Sequence, residues 1–216
     1  MLWTMIDLIK TPELLLLFVV LLIIPLLFSI AFHELAHGYV AYKFGDITPK
    51  VMGRLTLNPF AHLDPLGTIL LFVVGLGWAK PVIINLQNIP NATKQMLVAL
   101  AGPVSNFFLA LVFALFISIM ENLLGFSHNN FVIALFHMVV RINIGLGLFN
   151  LIPIPPMDGS RIVSWILPSK LKQLYNRLED YGMFILMVLL VTVGFGGIFV
   201  LASIVQGFLY ALLGIK

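Results

Sequence analysis

The chain has 216 residues, 61% of them hydrophobic and only 10% charged, and its mean hydropathy is +1.08. A soluble domain carries roughly a quarter charged residues, so this composition excludes one and predicts a polytopic membrane protein. The absence of cysteine excludes disulfides and thiolate metal sites, and a net charge of +3, scattered along the chain, argues against a nucleic-acid partner.

The first apolar run, Leu14 to Ala31, is longer than a signal-peptide core. Asp7 and Glu13 offset Lys10 ahead of it, and no small-residue cleavage site follows, so it reads as a retained membrane helix. This helix is expected from about Pro12 to Phe44, with a kink at Pro25 and a stop at Gly45-Asp46. The polar stretch "ITPKVMGRLTLNPFAHLDP" follows, and alternation over Val51 to Leu57 suggests a strand. The apolar core of "LGTILLFVVGLGWAKPVIIN" is too short to cross comfortably. It predicts a short or re-entrant segment leading into a second strand near Pro81 to Ile84.

Lys94 to Met120 and Phe131 to Leu151 each make a full span, and the prolines of "NLIPIPPMDGS" end the second. An amphipathic piece, "RIVSWILPSKLKQLYNRLED", comes next. Tyr181 to Ile215 is roughly 50 Å long as a helix, too long for one straight span, and "GFGG" at 194–197 is the expected break into two short spans or one bent one. The expected architecture is a single all-α membrane domain over 1–216 with about five to six membrane helices. It includes the re-entrant segment and small β-strand elements near the active site, a catalytic core over about 12–168 and C-terminal helices over about 181–215. Trp78, Trp165 and Tyr175 are expected to anchor at the membrane interface, and Arg141 and Asn143 to be buried, structural or snorkelling residues with no link to a site.

Lysine and arginine set the orientation. Lys43, Lys50, Arg54, Lys80 and Lys94, with Arg161, Lys170, Lys172 and Arg177, fall on one side, while "ENLLGFSHNNF" has none. The N-terminus is therefore expected outside, with the first helix ending in the cytosol.

That helix carries "HELAH". His33 and His37, four apart, project from one helical face and can grip one cation, and Glu34 is placed to deprotonate a water there. Two histidines merely paired with neighbours are the plainer alternative, but ionisable residues inside a membrane are functional candidates by default. A hydrolytic zinc takes three protein ligands, so a third is needed from His62, Asp64, His137 or Asp158. Asp158 is favoured because the prolines before it unwind the end of a span; its alternative is a helix cap near Ser160.

HELAH in one membrane helix with "NLIPIPPMDG" in a later one resembles the site-2 protease family of intramembrane zinc metalloproteases. The stretches "GRLTLNPFAHLDPLGT", "GWAKPV" and "ALAGPVSN" resemble its compact members, without PDZ or CBS domains, and the similarity covers about Phe28 to Asp180. The resemblance implies a core of three membrane helices and one zinc ion held by His33, His37 and Asp158, with Glu34 activating water. It also places Asn150 at the site, either as an oxyanion donor or as a helix C-cap. His62 and Asp64 are expected to order their loop, with second-layer contacts to the metal as a further role. The expected function is an intramembrane zinc endopeptidase that hydrolyses peptide bonds in or near transmembrane segments of membrane proteins. Its setting would be the lipid bilayer of a prokaryotic plasma membrane, with the site opening to the cytosol. A membrane metal-ion transporter is one alternative, but it does not explain a glutamate directly after the first histidine; an inactive scaffold is another, and the intact HExxH argues against it.

Overall fold

The structure, a computed structural model, describes residues 12–67, 79–128, 130–192, 194 and 196–215. The first helix, α1 (Pro12–Lys43), continues through Pro25. The chain turns at Gly45, whose φ of +110° suits a residue without a Cβ, and a single helical turn follows, α2 (Thr48–Val51). Two 3₁₀ turns, Pro59–His62 and Leu86–Asn88, punctuate the connection to α3 (Ala92–Ser118), which Asn91 caps by accepting from the Lys94 N–H. The end of α3 widens into a π-helical turn at Ile119–Leu123. Then come α4 (Phe131–Asn150), α5 (Asp158–Ile166), α6 (Ser169–Asn176), a 3₁₀ turn at Arg177–Asp180, α7 (Gly182–Thr192) and α8 (Gly196–Leu213).

At the centre, α3 packs against α1, α4 and α5, and α4 also packs against α1 and α8. Small residues set the spacing: Ala110, Ala114 and Ala202 share a buried cluster with Ile117, Ile133, Val140 and Ile144. Close backbone approach through small side chains is how helices associate in lipid, where burial of apolar surface gives little driving force. The outward faces of α3 and α8 remain apolar, with Val104, Phe108, Phe199 and Phe208 more than half exposed.

Among the described residues four helical segments are long and apolar enough to cross a bilayer: Leu21–Lys43, Ala92–Leu123, Phe131–Asn150 and Gly196–Leu213. The further spans of the expected five to six have no counterpart among them, since α7 is apolar but only 11 residues long. The re-entrant segment and Trp78 fall on residues 68–78, outside the described part. The break in the C-terminal run lies where "GFGG" placed it, with Gly194 at φ +67° between α7 and α8.

No strand forms among the described residues. Val51 closes α2, Gly53 at φ +65° interrupts the alternation read over 51–57, and residues 80–85 run without regular structure. A lone antiparallel bridge joins Leu63 to Ala79. What fixes this connection is Asp46, fully buried after α1. Its carboxylate accepts from the Thr48 N–H (3.1 Å) and hydroxyl (2.6 Å), the Asn85 N–H (2.7 Å) and the Asn88 amide (2.8 Å). Burial opposes its ionisation, but the hydrogen bonds from Thr48, Asn88 and Asn85 outweigh it and hold the carboxyl below its ordinary range. A single acidic side chain thus ties the segment ahead of α3 to the end of α1.

Candidate metal centre

His33 and His37 lie one turn apart on α1, each 7% exposed, with their Nε2 atoms 3.0 Å apart. Asp158 opens α5. The position before it, Met157, caps nothing with its side chain, and Asp158 Oδ2 instead lies 3.1 Å from His37 Nε2 and 3.3 Å from His33 Nε2. The proline run delivers this carboxylate. Gly159 lets α5 begin directly against the end of α4, since a Cβ there would stand 2.2 Å from the Leu151 carbonyl oxygen.

Two nitrogens and one oxygen at these separations form a nearly equilateral triangle. Ligands about 2.0–2.1 Å from a tetrahedral zinc are about 3.3–3.4 Å from one another, so the triangle fits zinc with slight expansion. The outer bonds of the histidines agree. His33 Nδ1–H donates to Asn106 Oδ1 and His37 Nδ1–H to the Val98 carbonyl, both at 2.7 Å. This tautomer leaves the lone pairs of both Nε2 atoms facing the carboxylate. Three electron-rich atoms facing one another in a buried site repel unless a cation or a shared proton lies between them.

The support extends two layers deeper. Asn106 donates to Asn143 Oδ1 (3.1 Å), and Asn143 donates to Ser29 Oγ and the Val139 carbonyl, both at 2.9 Å. Ser29 in turn donates to the Pro25 carbonyl at 2.8 Å. Ser29, Asn106 and Asn143 are all 0% exposed. The expectation that Asn143 has no link to the site is therefore corrected: it orients the amide that orients His33. Arg141, expected to be buried, is exposed, and its Nε donates to Gln206 Oε1. Sequence reasoning missed Asn106; the available signal was an amide inside an apolar span, one helical turn past "AGP".

Behind the histidines stands Gly102 of α3. A Cβ there would lie 2.1 Å from His37 Nε2 and 2.6 Å from His33 Nε2, so only glycine lets α3 close on the ligands. In front is a cavity of about 410 Å³, lined by His33, Glu34, His37, Val82, Asn150 and Asp158 among others. Glu34 is half-buried, and its Oε2 accepts from the Val82 N–H at 2.8 Å, which turns the carboxylate toward this space. Asn150 ends α4 and donates to the Leu146 carbonyl of its own helix at 3.0 Å.

The other sequence candidates are elsewhere. His62 is buried, with Nε2 on the Thr56 carbonyl (3.0 Å), and Arg54 bonds the Ala61 carbonyl, so both order the loop. Asp64 accepts from the Gly67 N–H at 2.8 Å, and His137 pairs with the Tyr210 hydroxyl. Tyr175 donates its hydroxyl to the Pro153 carbonyl at 2.7 Å, tying α6 to the proline run, and burial raises its pKa. Trp165 is 40% exposed.

Two imidazoles and the Glu34 carboxylate on a membrane-spanning helix, with the Asp158 carboxylate at the start of α5, make a donor set that suits a zinc hydrolase. Comparison with known proteins agrees. The family model for Peptidase family M50 matches residues 116–193. A protein named "Putative zinc metalloprotease YwhC" from Bacillus subtilis (strain 168) is 45% identical over 177 residues, covering 79% of this chain and 80% of that protein. "Zinc metalloprotease MJ0392" from Methanocaldococcus jannaschii is 30% identical over 149 residues, 69% of this chain and 35% of that one. A Mycolicibacterium smegmatis protein, named like the first but as Rip2, is 28% identical over 186 residues, 80% of this chain and 67% of the relative. No solved structure matches the chain significantly. The chain belongs to Peptidase family M50, the site-2 proteases, and is a membrane-integral metalloprotease whose cofactor is Zn²⁺.

Proposed function

We propose that the protein is an intramembrane endopeptidase, a single domain over 1–216, cleaving peptide bonds in or near transmembrane segments of membrane proteins. The observation that carries this reading is the triangle of His33, His37 and Asp158, with both Nδ1 atoms tied off and Glu34 beside it. These three residues would hold one zinc ion, which when bound supplies electrostatic polarisation of the scissile carbonyl and of the attacking water. Glu34 accepts the proton of that water and returns it to the leaving amine. Its bond to the Val82 N–H keeps the carboxylate at the cavity wall between these transfers. Asn150, at the cavity edge, is the candidate donor to the developing oxyanion, by turning its amide away from Leu146.

Depth supports intramembrane action. His33 and His37 lie about 15 Å and 9 Å along α1 from Lys43, below the end of the span. The basic residues cluster on the side of Lys43 and Lys172, so the site opens toward the cytosol of a prokaryotic plasma membrane. A substrate helix has to unwind to expose its carbonyls, and the backbone from Pro81 to Ile84, irregular and at the cavity wall, is the segment that could pair with it as an added strand. The short apolar helix α7 would add a further, partly inserted segment to the four spanning helices, toward a membrane domain of five to six helices.

The test is zinc content and cleavage of a model membrane-helix substrate by the wild type and Glu34→Gln. The variant should keep its zinc and lose about 10²–10⁴-fold in turnover, because an amide cannot accept the proton. Near-normal turnover would remove Glu34 from the mechanism. Zinc binding with no hydrolysis by either form would favour a metal-ion transporter.

A further inference from the structure

At the opposite end of the bundle a second group of metal-binding side chains comes together. Glu121, His128 and His137 present ligand atoms that all lie within 4.8 Å of one another. His137 is on α4 about 20 Å from Asn150 along the axis, well away from the cavity. Glu121 sits in the π-helical turn that ends α3, where the extra residue re-aims the side chains, and His128 is on the connection that follows.

Three features set this group apart from a chance pairing. The Glu121 side chain is only 9% exposed, yet the sequence has no lysine or arginine between Lys94 and Arg141. Arg141 itself engages Gln206, and among the described residues the carboxylate pairs with the imidazole of His128, at 2.7 Å. A buried carboxylate needs a positive partner, and a neutral imidazole is a weak one. Next, His137 Nε2 is buried without a hydrogen-bond partner, while its Nδ1 bonds the Tyr210 hydroxyl at 2.6 Å. Tyr210 also accepts from Gln206 Nε2 at 2.8 Å, which holds its oxygen in place, and a hydroxyl turned to accept from His137 Nδ1–H as well gives the metal-binding tautomer. That leaves the Nε2 lone pair unused, and His137 packs 5.1 Å, ring to ring, from His128. Finally, two imidazoles and a carboxylate form a donor set suited to Zn²⁺.

We propose that Glu121, His128 and His137 bind a second Zn²⁺ ion, separate from the catalytic one. The spacing is wider than the catalytic triangle, and His128, whose side chain is 56% exposed, is the member free to close it. Bound zinc would tie the π-turn, the connection after it and α4 together, with α8 joined through Tyr210. Neighbouring ions such as Ni²⁺ and Cu²⁺ share the preference for imidazole and compete at the same ligands.

The experiment counts zinc in the detergent-purified full chain, loaded with Zn²⁺ and desalted, by elemental analysis. With His33→Ala and His37→Ala in place, one zinc per chain is expected to remain and to be lost on adding His128→Ala and Glu121→Gln. His128 is exposed, so its removal leaves the core intact, and circular dichroism verifies the fold. In the otherwise unchanged chain the same pair should lower the count from two to one, and Co²⁺ loaded in place of zinc should lose one set of visible absorption bands. No zinc above background in the His33→Ala, His37→Ala chain, with one in the wild type, overturns the proposal. So does a second zinc that survives His128→Ala with Glu121→Gln. Because the second ion is counted without the first, its failure is distinguishable from failure of the protease reading.

Discussion

The two histidine clusters occupy opposite ends of one helix bundle and differ in how firmly the surroundings hold them. At His33, His37 and Asp158 both imidazoles are fixed by a second bond, the carboxylate starts a helix, and three polar residues behind His33 are fully buried. At Glu121, His128 and His137 only His137 is held from behind, and His128 is mostly exposed. Ligand identity alone does not separate the clusters, since each is two histidines and a carboxylate. Preorganisation does: a site that must hold geometry through a reaction needs its ligands immobilised beforehand, whereas a binding site can gather them on contact.

The comparison breaks most decisively at Asp158. Asp158→Ala leaves two histidines, too few for a structured zinc site, so elemental analysis should find the catalytic zinc gone and cleavage abolished. Asp64→Ala, in the loop, should leave measurable activity; zinc retained by the first variant and lost from the second would reverse the assignment. Gly102→Ala comes next. Its methyl would meet both Nε2 atoms, so zinc affinity should fall by more than about tenfold with the helical content unchanged. Full affinity in that variant would show that α3 does not enforce the geometry.

A smaller effect is expected from Asn106→Ala, which frees the ring of His33 without touching a ligand. A loss of about 10–100-fold in zinc affinity or activity is expected, and unchanged values would mean that the buried polar chain is only structural. The smallest effect belongs to Asp46, which holds the segment bearing Val82. Asp46→Asn should cost about 1–3 kcal/mol in unfolding measurements. Since folding lowers the Asp46 pKa, its stabilisation is complete above the ordinary carboxylate range and is lost as pH falls through the depressed value. The difference between wild type and Asp46→Asn should therefore shrink in acid, and a constant difference would contradict this account.

How much of this the sequence revealed depended on the range of the signal. That His33 and His37 face one another was legible from their spacing, and the approach of Asp158 to them because prolines announce an unwound helix end. The break at Gly194 was legible for a similar local reason. Asn106, Asn143 and Ser29 were not, because they meet across separations of 37 and 114 residues, which no local pattern records. Arg141 looked equally buried in the sequence and lies exposed, since an apolar helix in lipid shows no polar face to mark its inside. The alternation over 51–57 suggested a strand, but Gly53 adopts a left-handed turn there, and hydrogen bonds to Asp46 rather than a ladder hold the following segment.

Gly102 has a last consequence. The wall behind the histidines is bare backbone, close enough that not even a methyl group fits, while the cavity lies on the other side among Val82, Phe149 and Met183. Among the described residues the centre is approached from the cavity side, where incoming chain, water and both severed ends share the same space. In such traffic the cut ends are obstacles until they clear. Product that stays tightly seated would throttle the enzyme as effectively as an inhibitor, and single-turnover cleavage would then run faster than the steady state.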